Sequence, residues 1–163
     1  MTPRRRMMIL IGMAAGALWA LAVVLAPSFL GLPYLPAAAA LPGAMLPPGL
    51  VLAAMIGRLA ARRFFDDALI DGADPAPGSP AWVDQKVLAN TLEQLALALA
   101  VWPFAALTLG GAVAIALGLS FALMRLLFWI GYRLSPPLRA LGFAGTFYPT
   151  VLAGVWALVY WAV

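Results

Sequence analysis

Three polar side chains open the apolar stretch "KVLANTLEQLALALAVW" (86–102), at a spacing that places them on one helical face. Lys86, Asn90 and Glu93 are separated by four and then three residues, and a helix turns by about 100° per residue. The residues that follow are almost all apolar. A charged group near the middle of a membrane helix costs about 2.5–3.5 kcal/mol on insertion scales. We therefore expect this face to contact another helix, a polar ligand or a water-filled cavity.

The spacing alone leaves three interpretations open. In the structural one, Glu93 pairs with Arg125 or another arginine, and Asn90 joins two helices through hydrogen bonds. In the second, the face binds a polar ligand. In the third, it belongs to a proton path, for which a single buried carboxylate and the absence of histidine make a poor relay.

A second polar stripe lies further along the chain. Arg125, Phe128 and Tyr132 are spaced three and then four residues apart, and Arg139 follows the sequence "SPP". Each has an ordinary explanation: Arg125 can extend to the membrane interface, Tyr132 can be an interfacial aromatic residue, and Arg139 can be a topological anchor. Together the two stripes offer cations, one carboxylate, an amide and a phenol. That set suits a small zwitterionic ligand with more than one carboxylate.

The composition places these stripes in a membrane protein. Of 163 residues, 65% are hydrophobic and 10% charged, with a mean hydropathy of +1.00, whereas a soluble domain holds roughly 25% charged residues. The chain contains no cysteine and no histidine, which excludes a disulfide framework, a cysteine nucleophile and the commonest metal ligands. We expect no metal site, and any thiol or redox chemistry must come from a bound partner.

Hydropathy predicts five membrane spans, each near the 20 residues that a bilayer requires. The second is the weakest, because Pro42, Pro47 and Pro48 crowd its beginning and favour a start near Pro48. The predicted spans are residues 7–30, 44–63, 85–108, 111–131 and 139–162. The segment 36–42, "PAAAALP", is interpreted as a turn, and 64–84 as a turn-rich polar loop without a folded domain.

The basic residues predict the orientation. With the N-terminus in the cytoplasm, five spans place all ten lysine and arginine residues at cytoplasmic ends, while the opposite connections carry none. Membrane topology therefore explains the net charge of +4 better than nucleic acid binding does. The first apolar run is too long for a signal peptide, and we interpret it as an uncleaved span.

Three segments resemble the MAPEG family, the membrane-associated proteins in eicosanoid and glutathione metabolism. They are "LAARRFF" (59–65), "KVLANTLEQ" (86–94) and "RLLFWIGYRLSPPLRALGF" (125–143), and the resemblance covers about residues 45–162. It implies an all-α membrane protein: a four-helix MAPEG-like bundle over 36–163, with one extra N-terminal transmembrane helix within 1–35. It further implies a bacterial-type, multi-pass inner-membrane protein, for which the basic residues predict a cytoplasmic N-terminus and a periplasmic C-terminus.

The resemblance also implies a homotrimer that binds glutathione between subunits at the cytoplasmic side. By position in the family motifs, the glutathione-binding residues are Arg62, Lys86, Asn90, Glu93, Arg125 and Tyr132. Arg139 falls on the arginine that activates the thiol in leukotriene-forming synthases. Lys86 departs from the family's arginine and loses its bidentate fork, and Phe128 replaces a tyrosine often seen in the synthases.

Two functions follow as expectations. The first is a glutathione-dependent transferase or peroxidase, in which glutathione supplies the thiol, Arg139 stabilises the thiolate and a lipophilic electrophile enters from the lipid. The second is a catalytically silent accessory or structural subunit of a larger membrane complex, with the N-terminal helix available for docking. A small proton-coupled carrier is a third and weaker alternative.

Overall fold

The computed structural model describes residues 3–163, which form five α-helices and no strand. The helices are α1 (Pro3–Phe29), α2 (Ala37–Phe64), α3 (Pro80–Leu109), α4 (Gly111–Leu134) and α5 (Pro136–Ala162). Every one of the five is long and apolar enough to cross a membrane. The prediction of an all-helical membrane protein with five spans is confirmed.

The second helix begins earlier than the sequence predicted. α2 starts at Ala37, so both the predicted start of this span near residue 44 and the predicted turn over 36–42 are wrong. Four consecutive alanines have the highest helix propensity available and outweigh the prolines that follow them. Pro42, Pro47 and Pro48 remain inside the helix, as membrane helices tolerate when neighbouring groups satisfy the freed backbone.

The third helix also begins earlier. The Ser79 hydroxyl accepts a hydrogen bond from the Trp82 backbone N–H at 3.2 Å, and Pro80 occupies the first turn, where its missing N–H costs nothing. The α2–α3 connection therefore covers residues 65–79 and not the predicted 64–84. Leu69 folds back from it and packs in a small apolar cluster against Leu59 and Ala81.

Contacts between helix ends bring all the basic segments to one end of the bundle. The start of α3 contacts the end of α2 and the end of α4, where Asp84 meets Arg62 and Arg133. The start of α1 lies against the start of α5. We call this the basic end: it holds the beginnings of α1, α3 and α5 and the final turns of α2 and α4.

The opposite half of the bundle is held by an apolar core. Trp102 of α3 is fully buried, packs edge-on against Phe121 of α4, and donates its indole N–H to the Thr150 hydroxyl of α5 at 3.2 Å. Leu117 and Val24 belong to the same cluster, so α1 shares one core with the other helices. Burying these large apolar groups fixes the frame that carries the polar end.

α1 docks on α5 through glycines spaced four residues apart. A Cβ added at Gly12 would lie 2.5 Å from the Pro137 carbonyl oxygen, and one added at Gly16 would lie 2.4 Å from the Ala144 Cβ. Small residues at this spacing allow two membrane helices to approach closely. A hydrogen bond of 2.7 Å from the Trp19 indole to the Ser120 hydroxyl adds a polar link between α1 and α4.

We expect Gly16→Val to loosen α1 from α5, because the new side chain meets the Ala144 Cβ and the backbone beside it, which cannot move aside as a flexible side-chain end would. Overpacking of this kind costs about 1–3 kcal/mol. The thermal midpoint of the detergent-solubilised protein should fall measurably. Ala17→Val, at an exposed neighbouring position, is the matched control and should leave it unchanged. Equal midpoints for the two variants would contradict the glycine-mediated contact.

Candidate functional site

A cavity of about 590 Å³ opens at the basic end, between α1, α3, α4 and α5. Its size falls within the range of small-molecule sites. Five of the seven site residues predicted from the sequence line it: Lys86, Asn90, Glu93, Tyr132 and Arg139. Three of them share one face of α3, as the helical spacing predicted, and this face borders the cavity.

The Asn90 amide connects the cavity to the interior of the bundle. Its oxygen accepts a hydrogen bond of 2.9 Å from the Arg125 guanidinium, and its nitrogen donates one of 3.0 Å to the Glu93 carboxylate. Glu93 is thus linked to Arg125 through Asn90. The hydrogen bond to Arg125 agrees with the structural interpretation of Asn90, in which this residue joins two helices.

Arg125 lies behind the cavity and does not line it. Its side chain is fully buried, donates to the Gly142 carbonyl at 3.3 Å and to the Thr146 hydroxyl, and stacks 4.5 Å from the centre of the Phe128 ring. The interpretation that Arg125 extends to the interface is therefore wrong. Its Nε atom is buried without a hydrogen-bond partner. Arg125 acts on the cavity by holding Asn90.

Arg139 and Tyr132 form one wall of the cavity. The Arg139 guanidinium carbon lies 4.9 Å from the centre of the Tyr132 ring, a cation–π distance. Gly131 makes this possible, because a Cβ there would lie only 2.4 Å from the backbone nitrogen of Arg139. The Gly-Tyr pair thus lets the first turn of α5 approach the last turns of α4 and bring the cation into the site.

Arg62 lies outside the cavity, in a cluster around Asp84. The Asp84 carboxylate accepts hydrogen bonds from Arg62 at 2.6 Å, Arg58 at 3.1 Å, Arg133 at 2.5 Å and the Trp129 indole at 3.1 Å. One carboxylate that is 3% exposed therefore joins α2, α3 and α4 at the basic end.

Sequence reasoning missed Asp84, because the predicted α3 began one residue after it. The available signal was charge: Asp84 and Glu93 are the only acidic residues of the chain outside the 66–74 stretch, and arginines cluster at the ends of two other spans. A lone carboxylate among those arginines indicates an ion-pair centre.

In the part of the chain that the structure describes, the cavity lining combines Lys86 and Arg139 with a single carboxylate, Glu93, giving a local formal charge of +1. The amide of Asn90 and the phenol of Tyr132 add neutral hydrogen-bonding groups. Among residues 3–163, no group of three metal-ligating side chains comes together. The site is suited to a ligand that carries anionic groups and one cation.

The fold and this site define a polytopic helical membrane protein with a cavity at one end of its bundle, whose charged lining residues carry a net positive charge. The sequence matches the MAPEG family over residues 13–159, most of its length, and the chain belongs to that family. The match begins within α1 and so extends beyond the three segments that resembled the family. No curated protein and no solved structure matches the chain. The family includes glutathione transferases and peroxidases.

Proposed function

We propose that this protein is a glutathione-dependent transferase or peroxidase-like enzyme, which activates the glutathione thiol for attack on lipophilic electrophiles. The observation that carries the proposal is the meeting of Lys86, Asn90, Glu93, Tyr132 and Arg139 around one cavity. Residues from three helices, selected by motif position, line the same space.

The charges of the cavity complement those of glutathione. The tripeptide has two carboxylates and one ammonium group, a net charge of −1 with its thiol protonated. Glu93 would pair with the ammonium and Lys86 with a carboxylate, while Asn90 and Tyr132 offer hydrogen bonds. Lysine can serve here as a point charge, although it lacks the fork of the family's arginine.

Arg139 would promote the chemical step by stabilising the glutathione thiolate. A cation beside the thiol favours its thiolate form, which is the nucleophile. The thiol proton leaves to water, the sulfur lone pair forms a bond to the electrophilic carbon, and the leaving group departs with the bonding electrons. The chain has no cysteine of its own, so the reacting sulfur must belong to the ligand.

Arg125 and Arg62 contribute to this proposal less directly. Arg125 positions Asn90, whose amide in turn orients Glu93. Arg62 is bound to Asp84 within its own protomer. It enters the proposal only through a homotrimer, in which the Arg62 of one subunit faces the glutathione of its neighbour.

The membrane placement belongs to the same proposal. We propose a bacterial inner-membrane protein whose basic end faces the cytoplasm, where glutathione is made, with a periplasmic C-terminus. This orientation follows the positive-inside rule. We also propose that the four-helix unit lies within residues 36–163 and that α1 is an addition to it, although the family match begins within α1.

A titration with glutathione, followed by the ultraviolet absorbance of the thiolate, tests the proposal. Wild type should show a saturable thiolate signal, and Arg139→Ala should lose it, because the cation beside the sulfur is gone. Arg4→Ala, at an exposed position in the first turn of α1, is the matched control and should keep the wild-type signal. Absence of both binding and thiolate in wild type would refute the proposal.

The second candidate is a catalytically silent accessory subunit of a larger membrane complex. In its favour, both cavity cations already contact aromatic rings: Lys86 lies 5.6 Å from the centre of the Trp82 ring, and Arg139 lies over Tyr132. This candidate predicts stable co-purification with a partner complex and no thiolate signal, so the same titration separates the two.

A further inference from the structure

We propose that α1 forms the binding wall for the alkyl part of the lipophilic co-substrate, and that Ile9 and Met13 determine which chain lengths the protein accepts. This inference rests on the proposed function and deepens it. It assigns a substrate-specificity role to α1, the helix that we propose as an addition to the four-helix unit.

The geometry of α1 carries the inference. Ile9 and Met13 line the cavity, one helical turn apart. Gly12 and Gly16, each three residues further along, lie on the adjacent ridge and seat the helix on α5. The close packing of Gly12 and Gly16 against α5 therefore holds α1 in a position where Ile9 and Met13 border the cavity.

The cavity is divided into a polar and an apolar side. The α3 side presents Lys86, Asn90 and Glu93, whereas the α1 and α5 side presents Ile9, Met13, Ala140 and Phe143 beside Arg139. In the proposed function a small zwitterionic peptide uses the α3 side together with Tyr132 and Arg139, and it leaves Ile9 and Met13 free. The apolar part of the second side, which is continuous with the helix surface, suits an alkyl chain that enters from the membrane.

The position of these side chains supports entry from lipid. Met13 is 38% exposed and Ile9 is partly buried, so both lie at the boundary between the cavity and the outer surface of the bundle. An alkyl chain that extends out of the cavity along α1 would contact these two side chains in place of lipid. Its sulfur-reactive end would remain near Arg139, which lines the same cavity.

Binding of glutathione conjugates with increasing S-alkyl length tests the inference. We would measure the affinity of detergent-solubilised wild type for glutathione and for its S-methyl, S-butyl, S-hexyl and S-octyl conjugates. Affinity should rise with length, by at most roughly fourfold for each methylene buried. In the double variant Ile9→Ala, Met13→Ala, the increase in affinity from the S-methyl to the S-octyl conjugate should be about tenfold smaller, since two apolar side chains that contact the alkyl chain are truncated. Affinity for glutathione itself should be unchanged.

The matched control is Met7→Ala, Ile11→Ala. It removes the same two side-chain types from the same helix at positions that are each 61% exposed, and it should keep the wild-type gain. Micelle partitioning affects both double variants equally, so only the difference between them is interpreted.

The possible failures are distinct. If wild type binds glutathione but gains nothing with chain length, or if both double variants lose the gain equally, the role of α1 is refuted and the proposed function stands. If wild type binds neither glutathione nor any conjugate, the proposed function is refuted, and the inference with it.

Discussion

Asp84→Asn should destabilise this protein by about 3 kcal/mol, the largest effect on stability that we expect from a single substitution. Removal of one partner from a buried ion pair leaves the other partner's charge uncompensated, and typical costs are about 3–5 kcal/mol. We take the lower end because the three arginine side chains are 31–41% exposed and water can solvate them. An asparagine oxygen can still accept from Trp129 but cannot neutralise the arginines.

Thermal unfolding in detergent measures this effect, and a midpoint lowered by several degrees is the expected result. Asp67→Asn, which removes the same charge at an exposed position of the α2–α3 connection, is the control and should change little. A midpoint for Asp84→Asn that matched this control would show that the cluster contributes no net stability. Titration of the variant with glutathione would show whether the cluster also supports the site.

Asn90→Ala, Glu93→Ala should lower glutathione affinity by more than tenfold, the largest effect on binding that we expect. Among residues 3–163, Glu93 is the only carboxylate that lines the cavity, so no other described lining residue can pair with the ligand's ammonium. A hydrogen bond to a charged group contributes about 1.5–3 kcal/mol, and 1.4 kcal/mol is tenfold in affinity. The double variant also releases Arg125 from Asn90.

Single variants separate these two causes. Glu93→Gln removes the charge while its amide oxygen can still accept from Asn90, so affinity should fall without loss of thermal stability. Glu93→Asp restores the carboxylate on a shorter side chain and should recover part of the affinity. Unchanged glutathione affinity in the double variant would eliminate α3 as the peptide-binding face.

The sequence by itself determined the class of the fold. Apolar runs of bilayer length define five spans, and ten basic residues distribute along the chain so that alternating helices bring them to one end. Helix boundaries were less certain because local signals compete. The alanine run before Pro42 extended α2, and the Ser79 cap with Pro80 extended α3 to include Asp84.

The sequence also placed Lys86, Asn90 and Glu93 on one face, since a helical face follows from spacing alone. What lies opposite that face depends on helix packing. Only the tertiary structure brought Tyr132 and Arg139 to the same cavity, through the close approach of α5 to Gly131. Spacing could not distinguish Arg125, which is buried behind Asn90, from residues that line the cavity.

The contacts of Arg62 and the position of α1 were likewise decided by packing. Arg62 sits in a basic run whose partner, Asp84, is 22 residues away along the chain and on another helix. In the sequence, Gly12 and Gly16 are only two small residues in an apolar span. Their role in packing becomes visible only with the backbone of α5 placed against them. Periodicity fixes which residues share a helical face, whereas long-range packing decides what each face meets.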